Sequence, residues 1–290
     1  MKLTDLLRTL EGRRDRISEI SEKMHEFPDQ ALSEMEGYFS SRLLADLFFL
    51  NATALKGTKR ASGRPYCSHP ASAATLLDIL VGGYEEHKKD AIRYALTHDL
   101  IDEALNSRTE RFGEVMAAFQ RYPRELDAAV LLSGPTGEDL HHAGFPVESE
   151  KDYAVRVANT LQVLRYGKKA HAYSLIADKL DNLLDLGFLK DRPPEIKNEA
   201  VLKKFATPLL FSLESLSDRL ESDFQGKIVR LFYQVISNYK ITQTEVTDEI
   251  YKIRSMVDEQ NTTGRAIYSA IDIHHKKFRQ PLFAAYPDLS

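Results

Sequence analysis

Residues 171–186 read HAYSLIADKLDNLLDL, and within them Ile176, Leu180, Leu183 and Leu184 return at intervals of four, three and one. That spacing puts the four side chains on one stripe of a helix, whereas a half-buried strand needs alternation at every second residue. The same spacing extends outward along almost the whole chain, punctuated by Gly and Pro, and no alternating block surrounds a hairpin turn. The chain is therefore read as all-α. The periodicity predicts helices over 4–24, from 30 to a stop at Gly57, and over 71–80, 85–105, 110–120, 125–132, 151–166 and 169–189. The stretches 57–70 and 133–149 read as loops by their Gly, Ser and Pro content, and Pro193-Pro194 is the clearest break. Three or four further helical stretches occupy 195–278.

The 290 residues carry 39 Lys+Arg against 43 Asp+Glu, a formal net charge of −4. Binding to nucleic acid or an anionic membrane draws on a basic surplus, so neither is expected as the main partner. With 43% hydrophobic and 28% charged residues the composition is that of a globular chain with a sizeable core. No apolar run approaches the eighteen or so residues of a spanning helix, and the start, MKLTDLLRTLEGRRDR, lacks the apolar core of a signal peptide. A cytoplasmic location is expected. Cys67 is the only cysteine, so any metal would be held by histidine and carboxylate.

The dipeptide His98-Asp99 in ALTHDLIDEAL is a weak signal alone, and its context raises it. On a continuous helix Asp102 follows His98 by four residues and Glu103 follows Asp99 by four, so these polar groups share one broad face amid apolar neighbours. Burying a histidine and three carboxylates beside a core costs several kcal/mol unless they are paired or bound to a cation, which points to a metal; the alternative is a solvated acidic helix end. In 171–186, Asp178 and Asn182 are spaced i, i+4 in an apolar stripe, as for a ligand and a substrate hydrogen-bonder, or as for an Asp paired with Lys179 or Arg165.

Taken together, ALKGTKRASGRPYCSHPASAATLL, ALTHDLIDEAL, the Phe112-Gly113 turn and HAYSLIADKLDNLLDL resemble, in order, the hydrolase domain of the RelA/SpoT homologue family within the HD-domain phosphohydrolase superfamily. The resemblance covers roughly 45–189, within a hydrolase domain expected over 45–192. It implies an HD-domain helical bundle, with an N-terminal helical extension over 1–44 and a C-terminal accessory region over 193–290. It also implies an enzyme that uses Mn²⁺ to remove the 3′-pyrophosphate from guanosine tetra- and pentaphosphate. Its metal ligands would be His69, His98, Asp99 and Asp178. Two imidazoles and two carboxylates suit such an ion and leave positions open for water and a phosphate oxygen, although other divalent metals bind such donors more tightly.

The acid–base pair departs from the family order of Glu then Asp, since this chain has Asp102 then Glu103. The expectation is that both still position and deprotonate the attacking water and protonate the leaving group. For the substrate, the resemblance implies Arg60 stacking on the base, Ser62 beside it, Asn182 touching the nucleotide, and Tyr153 with Arg156 opening a helix near the phosphates. Ala61 stands where the family often has a phosphate-binding Lys, with Lys59 and Arg64 nearby. The exchanged acids and Ala61 favour, as an alternative, another phosphorylated nucleotide such as the 2′-phosphate of NADPH or a nucleoside monophosphate; a weakly active sensor is a third reading. The residues after 195 show no strand pattern, so an alarmone-synthetase domain is not expected. They would form a homodimer surface, a lid or an accessory domain. His141-His142 and His274-His275 read as solvated, and Cys67 as a packing residue.

Overall fold

The computed structural model describes residues 3–24, 26–55, 58–60, 63–82, 86–101, 117–147, 150–187 and 198–287. Among them every regular element is helical, and strand-like pairing is limited to one antiparallel bridge between Lys59 and Pro65. The architecture is all-α. By its internal contacts the chain forms two compact units, Met1–Ala129 and Val130–Ser290, and the segment 45–192 includes parts of both.

The first unit holds α1 (Leu3–Lys23), α2 (Pro28–Phe39), α3 (Arg42–Ala54), α4 (Ser68–Leu80) and α5 (Glu86–Thr97). Helix α4 is its centre. Ala71, Ala73, Ala74, Leu76, Leu77 and Leu80 are all buried, and α4 packs against both α1 and α5. The small alanines allow that close approach, and α1 answers with Leu6, Leu10, Ile17 and Ile20 on its inward face. The single helix expected from residue 30 to Gly57 is two helices. Ser40 takes a left-handed conformation at φ 50, closing α2, and extended Ser41 accepts the Leu44 N–H on its hydroxyl, opening α3. Adjacent serines thus supply a C-cap and an N-cap, which the apolar spacing alone did not reveal.

The helix expected over 85–105 is also interrupted, since α5 ends at Thr97 and His98 and Asp99 form a turn. The freed backbone is met by side chains. Asn51 of α3, fully buried, donates to the Leu96 carbonyl at 2.7 Å, while the Thr97 hydroxyl reaches back to the carbonyls of Arg93 and Tyr94. Threonine back-bonding of this kind competes with the next helical turn.

Helix α6 (Pro123–Ser133) carries the division between the units. The second unit continues with α7 (Gly137–His142), α8 (Lys151–Tyr166), α9 (Lys169–Gly187) and α10 (Asn198–Val201). A π-helical turn, Leu202–Ala206, joins α10 to α11 (Thr207–Ser215). Then come α12 (Ser222–Asn238), α13 (Gln243–Met256), α14 (Thr262–His274), a second π-helical turn, His275–Arg279, and α15 (Gln280–Ala285). Helices α8 and α9 share the core with α11, and α12 lies on α9, where Tyr173 and Phe224 meet edge to face at 4.8 Å. The last carbonyls of α6 are taken by α8, Gln162 donating to Leu131 at 3.0 Å and Asn159 to Leu132. A Cβ at Gly134, where φ is +70, would meet Asn159 at 3.0 Å, so this crossing requires glycine. The expected loop over 133–149 contains α7, opened by a capping box in which Thr136 and Asp139 satisfy each other's backbone.

Candidate metal centre

A tight turn feeds the chain into α4. The Arg60 N–H bonds the Arg64 carbonyl at 2.9 Å, the Tyr66 N–H bonds Thr58, and Gly63 takes the positive φ of 81 that the turn needs. His69 follows as the second residue of α4, with its N–H on the Tyr66 carbonyl at 2.9 Å and the Tyr66 ring edge-on to its imidazole. On the other side of the site the interruption after Thr97 turns His98 and Asp99 inward.

His98 Nδ1 lies 2.8 Å from the Ala95 carbonyl, which can only accept, so Nδ1 carries the proton and Nε2 presents its lone pair. That lone pair lies 3.3 Å from His69 Nε2 and 3.1 Å from Asp99 Oδ1, while Asp99 Oδ2 stands 3.5 Å from His69 Nε2. The imidazoles are 1% and 5% exposed. Asp99 Oδ2 is buried and has no hydrogen-bond partner among the described residues.

Donor atoms held about 2.1 Å from one ion stand roughly 3.0–3.4 Å apart at octahedral or tetrahedral angles. The 3.1 and 3.3 Å separations fall in that range, and the 3.5 Å separation, to the other Asp99 oxygen, lies just beyond it. A carboxylate that faces one imidazole nitrogen with each oxygen, and has one of those oxygens buried without a hydrogen bond, fits a divalent cation, which would replace the lost hydration of all three groups. The carbonyl contact on His98 Nδ1 is the outer support that metal-bound imidazoles ordinarily have.

In the second unit, α9 presents Asp178 and Asn182 one turn apart, the Asn182 amide donating to Asp178 Oδ1 at 2.7 Å. Asp181 and Asp185 of the same helix are buried. Lys179 is buried too, its ammonium 3.5 Å from the Arg156 carbonyl, and burial pulls its pKa down to about 8 despite the nearby Asp178 charge. The Arg156 guanidinium lies over the Phe205 ring at 5.7 Å. The Tyr153 hydroxyl is buried, and burial, with the Glu249 carboxylate adding to it, pushes that phenol well above its usual range. In the first unit Arg60 shapes the turn before α4 and Arg64 pairs with Asp15 at 2.9 Å. Ser62, Asp102 and Glu103 lie outside the described residues.

Two histidines of the second unit, outside the candidate centre's donor set, are buried. His274, read as solvated, is fully buried: Nε2 donates to the Val130 carbonyl at 3.1 Å and Nδ1 faces Asp139 Oδ2 at 3.5 Å. Its place on the apolar stripe of Ile267, Ala270 and Ile271 was the available signal, since i, i+3, i+4, i+7 is one helix face. His171 is buried as well, and burial with the charges of Arg279 and Lys168 lowers its pKa to about 3.

No protein-family model, curated protein or solved structure matches the chain. The fold and the site together define an all-α protein with a buried candidate centre for a divalent metal. No described helix is long and apolar enough to cross a membrane.

Proposed function

We propose that the protein is a metal-dependent pyrophosphohydrolase of the HD type that cleaves the 3′-pyrophosphate from guanosine tetra- and pentaphosphate, releasing pyrophosphate with GDP or GTP. The observation that carries this reading is the convergence of His69 Nε2, His98 Nε2 and Asp99 within 3.1–3.5 Å of one another. Asp178 is the fourth ligand in this reading, which is drawn from the sequence resemblance. Mn²⁺, or another divalent ion, would acidify a water and offset charge building on phosphorus. Asp102 and Glu103 take the proton from the attacking water and return one to the departing oxygen. Arg60 stacks on the guanine, a use that its planar guanidinium suits. Ser62 and Asn182 flank the nucleoside, with Tyr153 and Arg156 toward the phosphates. A cytoplasmic enzyme, with α10 to α15 serving a second copy or a lid, completes the reading.

The exchanged order of Asp102 and Glu103, with Ala61 in place of a basic residue, favours a second reading in which the substrate is another phosphorylated nucleotide. Pyrophosphate release from guanosine tetraphosphate with Mn²⁺, measured beside the H98A/D99A double variant, separates the readings. Metal-dependent release absent from the variant supports the alarmone reading. Absence of release from folded, metal-loaded protein overturns it, and phosphate release from NADPH or a nucleoside monophosphate then supports the second.

A further inference from the structure

Helix α1, outside the segment that resembles the hydrolase, makes side-chain contacts with the segment that carries His69, among them an ion pair of Arg13 with Asp78 at the far end of α4. Asp15 Oδ1 meets Arg64 Nη2 at 2.9 Å, five residues before His69. The Ser21 hydroxyl, anchored on the Ile17 carbonyl at 2.7 Å, lies 3.4 Å from Cys67 Sγ, two residues before. Arg14 Nε donates to Ser72 Oγ at 2.7 Å, one turn after His69 on the same face of α4. Arg14 and Ser72 are each 1% exposed.

We infer that Arg14 and Ser72 are positioning residues for the metal centre, fixing the rotation of α4 so that His69 Nε2 is held in register with His98 and Asp99; this rests on the metal reading above. The argument is one of direction. Leu6, Leu10, Ile17 and Ile20 already supply the apolar contact of α1 with the core, and apolar contact alone leaves the roll of a helix loosely set. A hydrogen bond to a rigid guanidinium does set it. The tolerance is small, because a roll of about 10° moves an atom about 6 Å from the helix axis by about 1 Å, whereas metal–ligand distances hold to about 0.2 Å. Burying a guanidinium is costly, and a register requirement at the metal centre is what the costly group serves here.

The test is Mn²⁺ affinity, read by electron paramagnetic resonance of free Mn²⁺, together with the absorption spectrum of the Co²⁺-loaded full chain. Arg14→Lys keeps the charge and loses the Nε geometry, Ser72→Ala loses the acceptor, and Leu10→Ala perturbs α1 packing without touching the contact. The two contact variants are expected to bind Mn²⁺ about tenfold or more weakly, the usual effect of removing an outer-shell partner, and to shift the Co²⁺ bands, with far-ultraviolet circular dichroism unchanged. Leu10→Ala is expected to melt earlier yet keep the wild-type affinity. Wild-type affinity in both contact variants, or an equal loss in Leu10→Ala, overturns the inference while leaving the metal reading intact. If the wild type binds Mn²⁺ no better than His69→Ala, the metal reading falls, and the positioning role falls with it.

Discussion

Each unit buries histidine against carboxylate, yet the two sites are built for different ends. In Met1–Ala129 the imidazoles of His69 and His98 and the Asp99 carboxylate aim at one another, and one Asp99 oxygen is left without a hydrogen bond. In Val130–Ser290 the Asp139 carboxylate is engaged by the Thr136 N–H at 2.8 Å and the Thr136 hydroxyl at 2.9 Å, with His274 Nδ1 at 3.5 Å and Lys277 at 4.0 Å. His274 Nε2 spends its hydrogen on a carbonyl of α6. Burial alone would raise the Asp139 pKa, but the contacts from His274 and Thr136 outweigh it and bring the value to about 2. The lesson is that residue type and burial do not make a metal site. Donor atoms that converge on one point fit a cation, whereas a carboxylate whose Oδ2 takes both the N–H and the hydroxyl of Thr136 holds helices together.

The contrast is broken most directly by removing one partner from each site. His98→Ala is expected to weaken Mn²⁺ binding by more than about a hundredfold, beyond the range seen for outer-shell partners. Retained binding in calorimetric titration would end the distinction between the sites. Asp139→Ala is expected to do the reverse, leaving Mn²⁺ affinity intact and costing about 3–5 kcal/mol in denaturant melts, the penalty for leaving a buried partner alone.

Acid should expose the same difference. Because the Asp139 pKa is depressed from 3.8 to about 2, its contribution is complete above about pH 4 and drains away as pH falls through 2. The stability gap between the wild type and Asp139→Asn should therefore close by on the order of 2 kcal/mol across that window. A gap that stays constant in urea melts from pH 4 to pH 2 would contradict the assignment. The smallest effect belongs to the helix cap. Thr136→Ala removes one side of the capping box of α7 and is expected to cost about 1 kcal/mol, without altering Mn²⁺ affinity.

The all-helical class was legible because helix spacing is a local property: Ile176, Leu180, Leu183 and Leu184 lie within nine residues of one another. The adjacency of His98 and Asp99 was legible for the same reason. Where side chains rather than spacing end a helix, the reading failed, as at Ser40-Ser41, at Thr97 and at Thr136. Those boundaries depend on caps and on carbonyls captured by distant groups, such as Asn51 on Leu96.

By itself, then, the sequence determined the helical period and which residue types were available for metal chemistry, since both are read over one or two turns. Only the tertiary structure decided that His69 meets His98 across 29 positions, that Asp99 faces two imidazoles while Asp139 Oδ2 is taken by Thr136, and that α1 reaches the segment around His69. The physical reason is that donor convergence and hydrogen-bond saturation depend on atoms brought together by packing, and a one-dimensional pattern records which side chains exist without recording what each one faces.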